Sequence, residues 1–224
     1  MRVVLFGATG MVGAGTLREC LLDARVSEVV ALVRSPTGTT NAKLREILHT
    51  DFLHYDGLQA EFVRADACFF CLGVSSAGKS EADYTRLTFD LTMAAAQAMA
   101  AANPRMVFCY VSGEGTDSTE RGRTMWARVK GRTENAILAL PFRAAYMFRP
   151  GFIQPMHGIR SKTGWVQAAL VVLAPLYPLI RRIAPRYTTT TEILGRAFIE
   201  VAAAGYSKNV LDTRDINAIG SRGK

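Results

Sequence analysis

The sequence predicts a doubly wound α/β fold (Rossmann-like): a parallel sheet with helices on both faces and a small helical cap near the C-terminus. Three observations predict it. A short apolar run, Val3-Val4-Leu5-Phe6, breaks into glycines spaced Gly7-x-x-Gly10-x-x-Gly13 and then into an amphipathic helical pattern. Strand-like runs alternate with helical ones, as a parallel sheet requires because each crossover needs a covering element. The strand-like runs are continuously apolar, the pattern of strands buried on both sides.

Arg2–Phe6 reads as the first strand, Met11–Leu22 as the first helix and Glu28–Val33 as the second strand. A short third strand is expected at 48–52 and a fourth at 67–72. Residues 80–102, rich in Ala and other good helix formers, read as one long helix. Residues 105–112 form the fifth strand, 124–138 a helix, and Ala144–Arg149 the sixth strand. From Gly151 onward the chain reads as mostly helical and does not repeat the alternation. We expect one domain over residues 1–224, with 152–190 as a cap over the carboxyl ends of the strands, where such folds bind ligands.

A chain of 224 residues, 49% hydrophobic, can bury a large core. The opening apolar run is too short for a secretory signal. The formal net charge of +8 is unevenly placed: residues 1–120 hold 10 Lys/Arg against 14 Asp/Glu, and residues 121–224 hold 17 against 5. A basic second half suits phosphate-bearing ligands, an acidic partner or an anionic membrane surface. No ribonucleoprotein motif or zinc-finger spacing occurs, so nucleic acid is not an expected partner.

Four cysteines occur: Cys20, Cys68, Cys71 and Cys109. Cys68-Phe-Phe-Cys71 has redox or metal spacing, but it lies in an apolar strand where the two thiols project to opposite faces. They read as core thiols. His49, Asp51, His54 and Asp56 match no metal-ligand spacing, so no metal is expected. The expected location is cytoplasmic, with contact at the inner face of a membrane as a variant.

Gly7, Ala8, Thr9, Gly10, Met11 and Val12 form a strand–turn–helix junction. Such a junction cradles a dinucleotide diphosphate: glycines let the backbone approach, and the helix N-terminus offers N–H groups with partial positive charge. An NAD site usually carries Asp or Glu at the end of the second strand. Here that strand ends Leu32-Val33-Arg34-Ser35. A guanidinium forks onto a 2′-phosphate, so Arg34 points to NADP ahead of NAD. Asp51 and Phe52 follow the third strand and are expected at the adenine. Leu72 and Gly73 end the fourth strand and let ribose and diphosphate pass the backbone. Pro150 through Ile153 are expected to cover the nicotinamide, with Arg160 closing over phosphate or an acidic substrate.

Together these pieces resemble the short-chain dehydrogenase/reductases. Within them, the chain resembles the small atypical branch of Tat-interacting-protein-like oxidoreductases and their bacterial relatives. The resemblance rests on Gly7-Ala8-Thr9-Gly10-Met11-Val12-Gly13, Cys71-Leu72-Gly73, Tyr110-Val111-Ser112, Val129-Lys130-Gly131 and Arg149-Pro150-Gly151, across most of residues 1–155. It implies an NAD(P)-linked oxidoreductase or epimerase-like activity on a small carbonyl or related substrate, for which Arg34 favours NADP as cofactor and the apolar 165–180 segment favours a hydrophobic substrate. Ser112 would orient the carbonyl. Lys130 would hold the nicotinamide ribose and lower the pKa of a general-acid Tyr. The position of that Tyr is Trp126, whose indole donates a hydrogen bond but exchanges no proton near neutral pH. Three readings stand: a substitute acid (Tyr84, Tyr110 or a water chain), a reaction that needs none, or a non-catalytic NADP-binding sensor or interaction module.

Residues 165–180 are 16 predominantly apolar residues containing Pro175 and Pro178 and followed by Arg181-Arg182. That is shorter than the ~20 residues a spanning helix needs. The segment reads as a cap over the cleft. Its alternatives are a homodimer face and a membrane-surface contact with Arg181, Arg182 and Arg186 toward the headgroups.

Overall fold

Apolar runs flanked by glycine turns become strands here largely where the sequence places them. The computed structural model of the chain describes residues 1–159, 164, 182 and 185–222. In order, it forms β1 (Arg2–Phe6), α1 (Met11–Leu22), β2 (Glu28–Val33), β3 (Leu44–Leu48), α2 (Gln59–Val63) and β4 (Ala67–Phe70). Then come α3 (Glu81–Thr85), a π-helical turn (Arg86–Asp90), α4 (Leu91–Ala102), β5 (Val107–Val111), α5 (Met125–Leu138) and β6 (Ala144–Arg149). The last part holds β7 (Phe152–Gln154), β8 (Thr188–Thr190), α6 (Thr191–Ala204), β9 (Val210–Asp212) and α7 (Thr213–Gly220).

The main sheet has seven parallel strands in the order β3-β2-β1-β4-β5-β6-β9. Phe6, at the end of β1, stands opposite Leu32 of β2 and Phe70 of β4. Helices cover both faces, which is the doubly wound architecture expected. On one face Leu17, Cys20, Leu194, Phe198 and Ile216 of α1, α6 and α7 pack on Leu5, Phe69 and Phe148. Phe198 sits between Phe69 and Phe148, with ring centroids 5.2 Å and 4.2 Å away. On the other face Phe62, Met99 and Ile137 of α2, α4 and α5 pack on Phe6, Phe70 and Phe108. Each such side chain contributes about 1.5–3 kcal/mol by leaving water.

Three elements differ from expectation. The third strand lies at Leu44–Leu48, not 48–52, because it is the sheet edge: Arg45 and Leu48 are exposed, so the strand carries no apolar run. The expected single helix over 80–102 is broken by the π-helical turn, which carries Thr88 inward, where its carbonyl accepts from the Thr92 hydroxyl at 2.6 Å. The tail does continue the alternation, since β9 adds a seventh strand beside β6. A second, small parallel pair joins β7 to β8.

Residues 160–163 and 165–181 lie outside the described residues, and with them Arg160, Arg181 and the 165–180 segment. Among the described residues, no helix is long and apolar enough to cross a membrane. The four cysteines are free; Cys68 belongs to one core layer and Cys71 packs against the other. Burial pushes all four thiols up, Cys71 to about 12.

Candidate functional site

The strand order reverses between β1 and β4, so their carboxyl ends part into a crevice, the usual ligand position in such sheets. Gly7 turns the chain with φ of +76°, and its carbonyl accepts from the Gly10 N–H at 2.9 Å. A Cβ on Gly7 would meet the Cys71 carbonyl and the Leu72 nitrogen within 2.8 Å. A Cβ on Gly13 would overlap the Gly7 carbonyl oxygen. Gly7 and Gly13 are therefore demanded by packing. Gly10 is different: a Cβ there would meet only Gly7 O, at 3.3 Å. It caps α1 with no side-chain bond, and no carboxylate occupies the first turn. The helix N-terminus thus keeps its partial positive charge for an anion.

A cleft of about 520 Å³ opens from this turn. Thr9, Gly10, Met11 and Val12 form one wall, and Arg34 borders it from the end of β2. Leu72 and Gly73 face them; a Cβ on Gly73 would meet only the Lys130 Nζ, at 4.0 Å. These features fit a dinucleotide: an uncapped helix start, two glycines open to the cleft, and a cation at its border. A second groove of equal volume runs outside α1 from Ala8 to Ile159, with mostly aliphatic walls that suit a diphosphate poorly.

Ser112, Trp126, Lys130 and Tyr84 all line this cleft. Ser112 follows β5, and its hydroxyl donates to the Phe148 carbonyl at 3.1 Å. Lys130 rises from α5; its Nζ donates to the Val111 carbonyl at 3.0 Å and lies 4.9 Å from the centre of the Tyr110 ring. Burial pulls its ammonium down to about 8, against the pull of Glu134. One turn further, Glu134 is only 1% exposed and ion-paired with Arg149 at the end of β6, whose Nε is 3.0 Å from it. Arg149 also donates to the Ser118 hydroxyl. Gly131 lets the loop backbone at Asp117 press onto α5, since a Cβ there would overlap the Asp117 carbonyl.

Other expected site residues lie elsewhere. Asp51 is exposed; its carboxylate accepts from the Leu53 N–H at 3.0 Å and pairs with His54, which together hold its carboxyl below the usual range. Phe52 is buried edge-on against Phe6 and His49. The Pro150 carbonyl accepts from the Glu114 N–H at 2.9 Å, and Ile153 pairs with Thr189 in the small sheet. None of these four lines the cleft. Of the two other tyrosines considered as acids, Tyr110 is fully buried with its phenol pushed up by burial, whereas Tyr84 borders the cleft. Val74, Ser75 and Ser76 line the cleft and were not singled out; the run of small residues after β4 is the signal for them. Glu134 was also passed over, although it stands four residues after Lys130 on one helix face.

The profile of the family described as NAD(P)H-binding matches residues 7–138. The chain belongs to the NAD(P)H-binding family. It is 29% identical over 158 residues to the protein fmp52, mitochondrial, of Emericella nidulans, a match covering 67% of this chain and 66% of that one. It is also 29% identical to the leucinostatins biosynthesis cluster protein T of Purpureocillium lilacinum, over 62% of this chain and 52% of that protein. The chain thus spans about half to just under two thirds of these curated relatives. Among solved structures it resembles a short-chain dehydrogenase/reductase superfamily protein of Agrobacterium tumefaciens with bound NAD, at a TM-score of 0.63 and 12% identity. That match covers 97% of this chain and 81% of the other. The likeness is one of fold, and it is the fold that the sequence motifs resemble. The Emericella relative carries the word mitochondrial in its name, whereas the sequence reading placed this chain in the cytoplasm.

Proposed function

We propose that this NAD(P)H-binding protein is an NADP-linked oxidoreductase acting on a small, largely apolar carbonyl compound. The observation that supports it is that Ser112 and Lys130 line the same cleft as the glycine turn. A reduced nicotinamide dinucleotide, when bound, supplies the hydride for such a reduction. Gly10 and the α1 N-terminus would hold its diphosphate, and Arg34 its 2′-phosphate. Arg34 is exposed and has no ion-pair partner among the described residues, which leaves its fork free for phosphate. Leu72, Val74 and Trp126 contribute apolar surface to a cleft that Ser75, Ser76 and Ser112 also line.

A second reading, an NADP-binding sensor without turnover, is favoured by Trp126, because an indole stands in the cleft where the resemblance expects a phenol. Two measurements separate the readings. Cofactor affinity is taken by titration, and NADPH consumption is followed over a panel of aldehydes and ketones. Binding with turnover supports the oxidoreductase; tight binding with silence across the panel leaves the sensor.

A further inference from the structure

We infer that Lys130 itself gives the proton to the substrate oxygen, the step that the indole at position 126 cannot perform. The inference rests on the oxidoreductase reading above and deepens it. Each group at the reacting end narrows the choice. The Ser112 hydroxyl proton is committed to the Phe148 carbonyl. Tyr110 lies beneath Lys130, fully buried and away from the cleft. The Trp126 ring packs near Gly115, where a Cβ would come within 3.4 Å of it, and it carries no exchangeable acid. Lys130 borders the cleft, and its ammonium has three donors. One goes to the Val111 carbonyl, and the Tyr110 ring supports the charge from below. The Gly73 side is open to it, so a donor remains for a ligand in the cleft.

The surrounding charges suit a proton that leaves and returns. Tyr84 from α3 and Tyr110 from β5 face this region as neutral phenols, both pushed up by burial. Glu134 from α5 favours the ammonium, but its charge is already taken by Arg149 from β6. Burial then brings the ammonium near neutrality, the range in which a general acid both holds and releases its proton. In the step, the carbonyl carbon takes up hydride and the C=O π pair moves to oxygen. The oxygen takes the proton as an Nζ–H bond breaks. The carbonyl becomes an alcohol, the reduced nicotinamide is oxidised, and Lys130, left as a neutral amine, regains its proton from water.

The test combines a direct titration with kinetics. The Lys130 side chain is followed by NMR against pH in the cofactor-free protein, with Lys130→Arg assigning the resonance. NADPH-dependent carbonyl reduction is measured over the same range. The expected result is one shared midpoint near pH 8, with turnover falling above it. Lys130→Arg, which keeps the charge but not the titration, should lose turnover by about 10²–10⁴-fold. Trp126→Tyr in that background should recover at least about tenfold by restoring a phenol. An ordinary lysine midpoint near 10.5 overturns the inference. So does a Lys130→Arg protein that still turns over, or a Tyr84→Phe protein that loses as much. If Lys130→Arg fails to bind NADPH, the two wild-type midpoints decide, and separate midpoints overturn it. Wild-type protein that binds NADPH yet reduces nothing defeats the oxidoreductase reading and this inference with it. Turnover independent of Lys130 defeats this inference alone.

Discussion

Gly13 stands so close to Gly7 that a Cβ on Gly13 would overlap the Gly7 carbonyl oxygen. Helix α1 is thereby seated directly on the turn that aims its N-terminus into the cleft. Gly13→Ala should force the helix off the turn and cost about 3 kcal/mol. Gly10→Val should do something else. Its Cβ has only one close neighbour, so the fold should persist while the branched side chain fills the position proposed for the diphosphate. Urea unfolding with NADPH titration separates the two. Equal loss of stability in both variants would mean that Gly10 serves packing as well.

Arg34 borders the cleft without a carboxylate partner among the described residues. Arg34→Ala should weaken NADPH binding by about 10–100-fold, the worth of a charge-assisted contact. NADH binding should change by less than about threefold. Equal affinity of the wild type for the two cofactors would refute the preference.

The buried ammonium of Lys130 carries a stability consequence. Its pKa is near 8 in the folded chain, against 10.5 for an ordinary lysine. Below pH 8 both states bind the proton, and the folded state bears the full cost of burying the charge. Between about pH 8 and 10.5 the unfolded chain binds more protons, so stability contributed by this group rises with pH. Lys130→Met should therefore stabilise the protein at pH 7 by about 1–3 kcal/mol while removing function. The gain should shrink by pH 10. Urea midpoints at the two pH values provide the check, and a pH-independent gain would contradict it.

Glu134 has Arg149 as its ion-pair partner, and at 1% exposure it cannot turn to water instead. Arg149→Met alone should cost about 3–5 kcal/mol, since it strands a buried carboxylate. Adding Glu134→Met should recover most of that loss. A double variant as unstable as the single one would show that the arginine acts through its Ser118 contact or its own packing.

The legible parts of the sequence were those under the strongest physical constraint. β1, β2 and β6 lie within buried sheet, so an unbroken apolar run marks each, and their bounds follow from it. β3 was misplaced because an edge strand exposes Arg45 and Leu48 and spends its hydrophobic signal on one side only. β9 is three residues long, too short for any periodicity, and pairs with β6 through contacts remote in sequence. At the site, the glycine turn was readable because few residues fit its geometry. The approach of Ser112 to Lys130 came from family resemblance, since no local pattern links β5 to α5. The Glu134–Arg149 pair joins residues 15 apart on different elements, and nothing in either segment announces the other.

The sheet's last strand has a consequence for what counts as the protein's unit. The family profile ends at residue 138, yet α6 supplies Leu194 and Phe198 to the core beneath α1, and β9 covers the outer edge of β6. A fragment cut at 138 keeps every glycine of the turn, but it would bare to water the part of that sheet face which α6 and α7 cover. The matched segment and the folded core therefore differ in extent, the core drawing on the chain as far as Ile219.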